Sequence, residues 1–165
     1  MDPAYIWHSP LGPLGIVTSE RGIVRVQFTH EQTGHTRPDA DDITRACIRE
    51  LDEYFSGKRR DFTVPLDLRG TSFQLACWNA LLRIPYGEIR TYAQQADVVG
   101  SPRGFRAVGA ANGANPIPII VPCHRVLATG GKLGGYGGGL DVKEKLLRLE
   151  GAWPIGTRTL FATAD

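Results

Sequence analysis

Residues 91–113 read TYAQQADVVGSPRGFRAVGAANG, and this stretch decides the fold of the C-terminal half. Thr91 followed three residues later by Gln94 is a capping-box signature: the hydroxyl accepts an early backbone N–H while the glutamine side chain returns to the cap. It opens a short helix to about Asp97. Val98-Val99-Gly100 then turns the chain. Ser101 is a candidate cap for the next helix, with Pro102 at the first helical position, where its missing N–H does no harm. That helix is expected over 102–112 and stops at Asn112-Gly113. A short helix, a tight glycine turn and a second helix make a helix-turn-helix. Ala107, Gly109, Ala110 and Ala111 dominate the second helix. Such small residues permit either tight packing inside the domain or close approach of the backbone to another surface.

Upstream, Thr71-Ser72-Phe73-Gln74 is a second capping box, opening a helix whose buried face holds Phe73, Cys77, Trp78 and Leu81. Before it, residues 4–30 carry β-branched runs at Gly15–Thr18 and Ile23–Phe28, with Glu20-Arg21-Gly22 as a hairpin turn. Residues 31–40 read as a loop, and 41–56 as a helix with Ile43, Ala46, Cys47, Leu51, Tyr54 and Phe55 at helical spacing. The charged segment 58–70, with Pro65, suits a short strand and a linker. A boundary near residue 70 therefore divides an N-terminal α/β domain (1–70), antiparallel strands plus a helix, from a mainly α domain (71–165). Downstream, NPIPIIVPCHRV (115–126) has three prolines against helix, while Ile117, Ile119, Ile120 and Val121 demand burial, which predicts a stiff extended segment ending at Cys123-His124. Seven of the ten residues 130–139 are glycine, with Tyr136 the only aromatic. Between two well-structured segments this reads as a loop whose backbone must approach a ligand. A last helix is expected from Asp141 to Gly151.

The 165 residues are 42% hydrophobic and 22% charged, which excludes a wholly disordered chain. No run approaches the roughly 18 apolar residues of a spanning helix. The N-terminus lacks the basic and apolar regions of a secretory signal, so a reducing cytoplasm is the expected location. Residues 1–70 hold nine Lys and Arg against eleven Asp and Glu, a net of −2; residues 71–165 hold ten against six, a net of +4. This fits ordinary surface charge, or a C-terminal half that meets a polyanion.

Cys123 and His124, with Glu150 twenty-seven residues after the cysteine, are the chemical candidates. A thiol must be deprotonated to act as a nucleophile. An imidazole within reach, directly or through one water, can take that proton, and a carboxylate on its far nitrogen orients it and stabilises its cation. A Cys-His dipeptide alone is most often structural. The proline frame, the glycine loop beside it and the upstream helix-turn-helix raise this one above that background. His8, His30, His35 and His124 do not combine with Cys47, Cys77 and Cys123 into a zinc spacing, so no metal site is expected. The helical spacing around Cys47 makes it a core residue.

Pro122-Cys123-His124-Arg125-Val126 resembles the active-site motif of the O6-alkylguanine-DNA alkyltransferases. Phe73, Trp78, Tyr86-Gly87-Glu88, Tyr92, Arg106-Ala107-Val108-Gly109, Asn115-Pro116, the loop with Tyr136 and residues 143–150 fall where that family's C-terminal domain has them. The likeness covers about residues 70–151. The first 70 residues resemble the family's ribonuclease-H-like domain only in outline. The resemblance implies Cys123 as alkyl acceptor, His124 as its base through a water, Glu150 as the group orienting His124, and Asn115 as a brace for the turn. Tyr92 would donate toward N3 of the damaged guanine. Arg106 would fill the gap left by an extruded nucleotide. Ser101 and Thr129 would touch the DNA backbone, with Ala107 and Gly109 on the DNA-facing side. Tyr136 and Pro118 would wall the base pocket, the Val126 carbonyl would read the exocyclic amine, and the Gly137 N–H, next to Gly138, would point at O6.

The implied partner is double-stranded DNA holding O6-alkylguanine, with O4-alkylthymine a second candidate lesion. No cofactor, membrane or obligate protein partner is implied. Two positions depart from the family: Gly137 stands where some members have serine, and Phe105 where many have a small residue. Two rivals remain. A non-catalytic binder of alkylated DNA would lack the acceptor that Cys123 supplies. A cysteine hydrolase would use the same three side chains, but would turn over and leave Arg106 unexplained.

Overall fold

The computed structural model describes residues 3–29 and 37–154. The chain divides into two compact units, 1–69 and 70–165. Much of the loop expected at 31–40, together with His30 and His35, and the tail beyond residue 154 lie outside the described residues.

In the first unit, β1 (Tyr5–Ser9), β2 (Gly12–Thr18) and β3 (Ile23–Phe28) form an antiparallel sheet in the order β1-β2-β3. The turn at Glu20-Arg21-Gly22 is closed by Ser19 N–H donating to the Gly22 carbonyl at 2.9 Å. Gly22 is required there: a Cβ would come within 2.5 Å of the Pro65 carbonyl oxygen. The segment expected as a short strand makes one parallel bridge, Ile23 to Leu66. α1 (Asp42–Phe55) is capped by Asp41, whose carboxylate accepts the Thr44 N–H at 2.7 Å. It turns Thr44, Cys47, Glu50, Leu51 and Tyr54 inward. Cys47 is fully buried, and burial pushes its thiol up to about 12, as befits a core residue.

The second unit positions the site. Both capping boxes form: Thr71 with Gln74 opens α2 (Ser72–Leu82), and Thr91 with Gln94 opens α3 (Tyr92–Val98). α4 (Phe105–Gly113) packs on both through Cys77, Ala96, Val108 and Ala111, flanked by Phe73, Tyr92 and Val99. Inside this apolar cluster, Gln95 and Asn112 exchange two hydrogen bonds of 2.9 and 2.7 Å, and the Trp78 indole donates to the Ala111 carbonyl at 2.9 Å. Buried polar groups paired this way fix the helix-turn-helix in one register. β4 (Arg90–Thr91) and β5 (Val126–Leu127) pair in parallel, and α5 (Leu140–Leu149) packs Leu147 against Leu127. The small residues of α4 divide between two environments: Ala111 is buried in the core, while Ala107 and Ala110 are exposed.

Three expectations are corrected. α4 starts at Phe105 rather than 102, with Gly104 as its N-cap and no side-chain cap. Ser101 is occupied elsewhere: its N–H closes the end of α3 on the Ala96 carbonyl at 2.9 Å, behind left-handed Gly100. Its carbonyl then accepts the Gly104 N–H at 2.7 Å, so Pro102 and Arg103 form a turn. Residues 115–126 are buried at their isoleucines as expected, but they are not extended. The Val121 N–H returns to the Ile117 carbonyl at 2.9 Å, Ile119 takes φ 75°, and Cys123–Arg125 form a single 3-10 turn. Finally, α5 begins at Leu140 behind Gly139, with no side-chain cap, so Asp141 lies inside the helix.

Candidate active site

Asn115 shapes the turn that carries the cysteine. Its side-chain oxygen accepts the Ile117 N–H at 2.9 Å and its amide donates to the Val121 carbonyl at 2.8 Å, spanning the bend. The Cys123 N–H then bonds the Val121 carbonyl at 2.8 Å, and the 3-10 turn sets Cys123, His124 and Arg125 side by side. Cys123 is partly exposed; His124 is completely buried.

His124 and Arg125 converge on one carboxylate. Glu150, at the end of α5 and itself buried, lies 2.8 Å from His124 Nε2. Arg125 donates from Nε at 2.8 Å and Nη2 at 3.0 Å to the two oxygens of the same group, and from Nη1 to the Ile84 carbonyl at 2.6 Å. Burial would raise the Glu150 carboxyl, but the hydrogen bonds and charges of His124 and Arg125 outweigh it and hold it below the usual range. An ionised carboxylate only accepts, so the proton of the neutral imidazole sits on Nε2. Burial keeps His124 neutral, against the pull of Glu150. Nδ1 is then a lone pair, buried and without a hydrogen-bond partner among the described residues. It is a base waiting for a proton.

The sulfur sits in a cleft of about 380 Å3, within the ~300–1,000 Å3 typical of small-ligand sites. α4 contributes Gly109, Asn112 and Gly113; the glycine loop contributes Gly135, Tyr136 and Gly137; Tyr92 and Cys123 complete the wall. Burial raises the Cys123 thiol above its ordinary 9.0, with Asn115 and the charge of Lys143 pulling the other way without reversing it. Burial thus favours the thiol form, and nucleophilic attack requires its deprotonation. Burial also raises the Tyr92 hydroxyl, which stays protonated at neutral pH and so remains a donor.

Residues 72–152 match the family model described as 6-O-methylguanine DNA methyltransferase, DNA binding domain, and residues 4–68 match its ribonuclease-like domain. The chain belongs to the 6-O-methylguanine DNA methyltransferase family. A methylated-DNA–protein-cysteine methyltransferase of Methanosarcina acetivorans is 47% identical over 89% of this chain and 97% of its own length. The crystal structure of the Mycobacterium tuberculosis O6-methylguanine methyltransferase superposes with a TM-score of 0.82 at 44% identity, covering 98% of this chain and 99% of that one. A crystal structure of Mycobacterium tuberculosis OGT in complex with DNA matches with a TM-score of 0.80, covering 90% and 92%. The N-terminal sheet with its helix is thus the family's ribonuclease-like domain, and the helical unit its DNA-binding domain.

Of the residues singled out from sequence, the structure brings Cys123, Tyr92, Gly109, Tyr136 and Gly137 to one cleft, with His124, Glu150 and Asn115 directly behind the cysteine turn. Arg106 and Ala107 are exposed on α4, Thr129 is exposed after β5, and Ser101 is half-buried in the turn before α4. Pro118, Val126 and Gly138 are not among the residues lining this cleft. Pro118 lies within the 117–121 bend, and Val126 is buried in β5 with its carbonyl already accepting from Lys143 Nζ at 2.7 Å. At Gly137 an added Cβ would meet nothing within 4 Å, so the cleft tolerates either glycine or serine there.

Two charged residues were missed. Arg125 was read only as a motif letter, and its bidentate hold on Glu150 needs a fold to be seen. Lys143 is fully buried, bonds the Val126 and Gly135 carbonyls at 2.7 and 3.1 Å, and so ties the glycine loop to the cysteine segment. Burial pulls its ammonium down to about 8, with Cys123 opposing. The signal was a lysine on the apolar stripe of α5, one turn before Leu147. Lys143→Met is expected to raise the Cys123 thiol further, because the positive charge that favours thiolate is gone. The rate of Cys123 carboxymethylation by iodoacetate, followed against pH, should shift to higher pH; an unchanged profile would exclude electrostatic coupling.

Proposed function

We propose that the protein reverses O6-alkylguanine damage in double-stranded DNA by moving the alkyl group, once and irreversibly, onto Cys123, with O4-alkylthymine as a second candidate lesion. The reading rests on one observation above all: a part-exposed cysteine in a ligand-sized cleft, beside a buried neutral histidine that is held by an ionised glutamate. The homologues carry the name methylated-DNA–protein-cysteine methyltransferase, and one relative was crystallised with DNA.

The alkyl carbon lies inside the duplex, so the nucleotide must be extruded into the cleft. α4 enters the minor groove, where Ala107 and Gly109 allow close approach. Arg106 occupies the vacated place in the stack, while Ser101 and Thr129 hold the backbone. His124 Nδ1 takes the Cys123 proton through one water, and Glu150 stabilises the imidazolium. Sγ attacks the alkyl carbon in line. The S–C bond forms, the C–O6 bond breaks, and its electron pair passes to the purine. Tyr92 directs its O–H toward N3 and the Gly137 N–H its dipole toward O6, both easing that charge. The proton taken from the thiol is balanced by one gained by guanine, which leaves neutral. The protein is the acceptor, so the step calls for no cofactor, and the thioether has no nearby group suited to cleave it. Residues 71–165 carry DNA binding and transfer, and free thiol chemistry suits the cytoplasm.

Incubation with a duplex containing O6-methylguanine should add one methylene to the Cys123 peptide and saturate at one equivalent. Repeated turnover would instead favour a hydrolase. Arg106→Ala is expected to slow transfer from duplex by about tenfold or more while leaving reaction with the free alkylated base within about twofold. Equal losses on both substrates would remove the arginine's role in extrusion.

A further inference from the structure

Phe105 is the one aromatic ring among the large exposed apolar side chains of the described residues, 48% accessible at the first position of α4. It precedes Arg106, also exposed, and follows exposed Pro102 and Arg103 in the turn. An exposed phenyl ring is unfavourable in water and invites a partner.

The helix says which way that ring lies. Gly109 and Asn112 line the reactive cleft. Phe105 stands four residues before the first and seven before the second, spacings that place all three on one face of α4. Arg106 shares that face through Gly109 and Gly113, at three and seven residues. At about 1.5 Å of rise per residue, the ring sits about 6 Å along the helix from the cleft wall. An apolar ring and a guanidinium thus project side by side from the helix end that leads to Cys123.

The electrostatics select the occupant. From Val98 to Leu140 the sequence has no Asp or Glu, yet it holds Arg103, Arg106, Arg125 and Lys132. Arg103, Arg106 and Lys132 are exposed. A flat apolar ring flanked in the chain by exposed Arg103 and Arg106 fits stacked bases between phosphates better than a protein groove or an acyl chain. Apolar side chains inserted at base steps from the minor groove partly unstack and kink the duplex.

We propose that Phe105 is a second insertion residue: it enters the minor groove beside Arg106 and stacks on the base neighbouring the extruded nucleotide. This rests on the repair reading above. Arg106 fills the vacancy and Phe105 opens the adjoining step, so the two act on different positions of the same strand. The extended wedge answers the departure at this position: α4 accommodates the larger ring by prying the duplex further open rather than by retreating from it.

The test compares wild type, Phe105→Ala and Phe105→Trp on a duplex with O6-methylguanine and 2-aminopurine as the adjacent base. Phe105→Ala should bind this duplex about tenfold more weakly, from the loss of one base–aromatic stack. It should also lose the 2-aminopurine fluorescence change at saturating protein, and transfer methyl more slowly. Phe105→Trp should restore binding, and the side chain's exposure means that neither variant should shift the thermal midpoint. Affinity and 2-aminopurine signal within twofold of wild type for Phe105→Ala would overturn the proposal, as would failure of tryptophan to restore them. If wild type itself places no methyl on Cys123, the repair reading falls instead, and this outcome is distinct from the others.

Discussion

Cys123→Ala is expected to bind duplex DNA carrying O6-methylguanine with near wild-type affinity and to transfer no methyl group. Among the described residues lining the cleft the Cys123 sulfur is the strongest nucleophile toward carbon, and neither other cysteine can replace it. Cys47 and Cys77 are both fully buried, and burial raises both thiols. On the proposed reading binding rests on the exposed cations and on α4, none of which the substitution touches, so phosphate contacts and their salt dependence should survive. Cys123→Ser should be equally silent, because its hydroxyl is far harder to deprotonate than a thiol and His124 is held neutral by burial. Gel-shift affinity together with peptide mass mapping decides the matter. Methyl appearing on any other residue, or product forming without Cys123, would dismantle the acceptor assignment.

The local parts of this arrangement were legible in the sequence because they depend on residues three or four apart. Both capping boxes, the glycine turn at 100, the burial of Cys47, Leu51 and Tyr54 on α1 and the stop at Gly113 follow from short-range hydrogen bonding and periodicity, whereas buried Thr44 and Glu50 on the same helix do not. The start of α4 was not, because the same Ser101 that suits an N-cap is also the residue that closes α3, and the chain uses it for the latter. The path of residues 115–126 was misread for a related reason. Prolines exclude a helix but do not demand an extended chain, and the asparagine that bends the segment acts through two bonds that no periodicity reveals. The Cys-His pair and the distant glutamate were legible as chemistry and as a family pattern, whereas Arg125 and Lys143 were not. A buried cation looks like surface charge until the carbonyls and carboxylate that satisfy it are placed around it. Those partners lie 17 and 25 residues away in sequence.

The groups behind the cysteine have opposing effects on its thiol. Lys143 and Asn115 favour thiolate, burial opposes it, and burial wins in the free site. A reactive thiolate held permanently in a cleft would be open to any electrophile.

Glu150→Ala is expected to cost about 3–5 kcal/mol of stability, the range for removing one partner of a buried ion pair. The Arg125 guanidinium, nearly buried and bonded to both oxygens, would be left without its counter-charge, and the His124 Nε2–H without an acceptor. Glu150→Gln preserves shape and separates charge from packing. The carboxyl is held below its ordinary 4.5 in the folded protein. Its contribution is therefore complete above that pH and is lost as pH falls below it, because the unfolded chain takes up the proton first. The stability gap between wild type and Glu150→Gln should accordingly be widest near neutral pH and should shrink below about pH 4.5. The same substitution removes the group that stabilises the imidazolium, so methyl transfer at neutral pH should slow by about a hundredfold or more, as when a triad's orienting carboxylate is neutralised. Urea unfolding of both proteins across the acid range, alongside single-turnover transfer at pH 7, gives the two readouts. A gap that does not narrow with acid would mean that Glu150 is not the charged partner of His124 and Arg125. Loss of stability without loss of transfer would leave it a structural anchor, with His124 oriented by its burial alone.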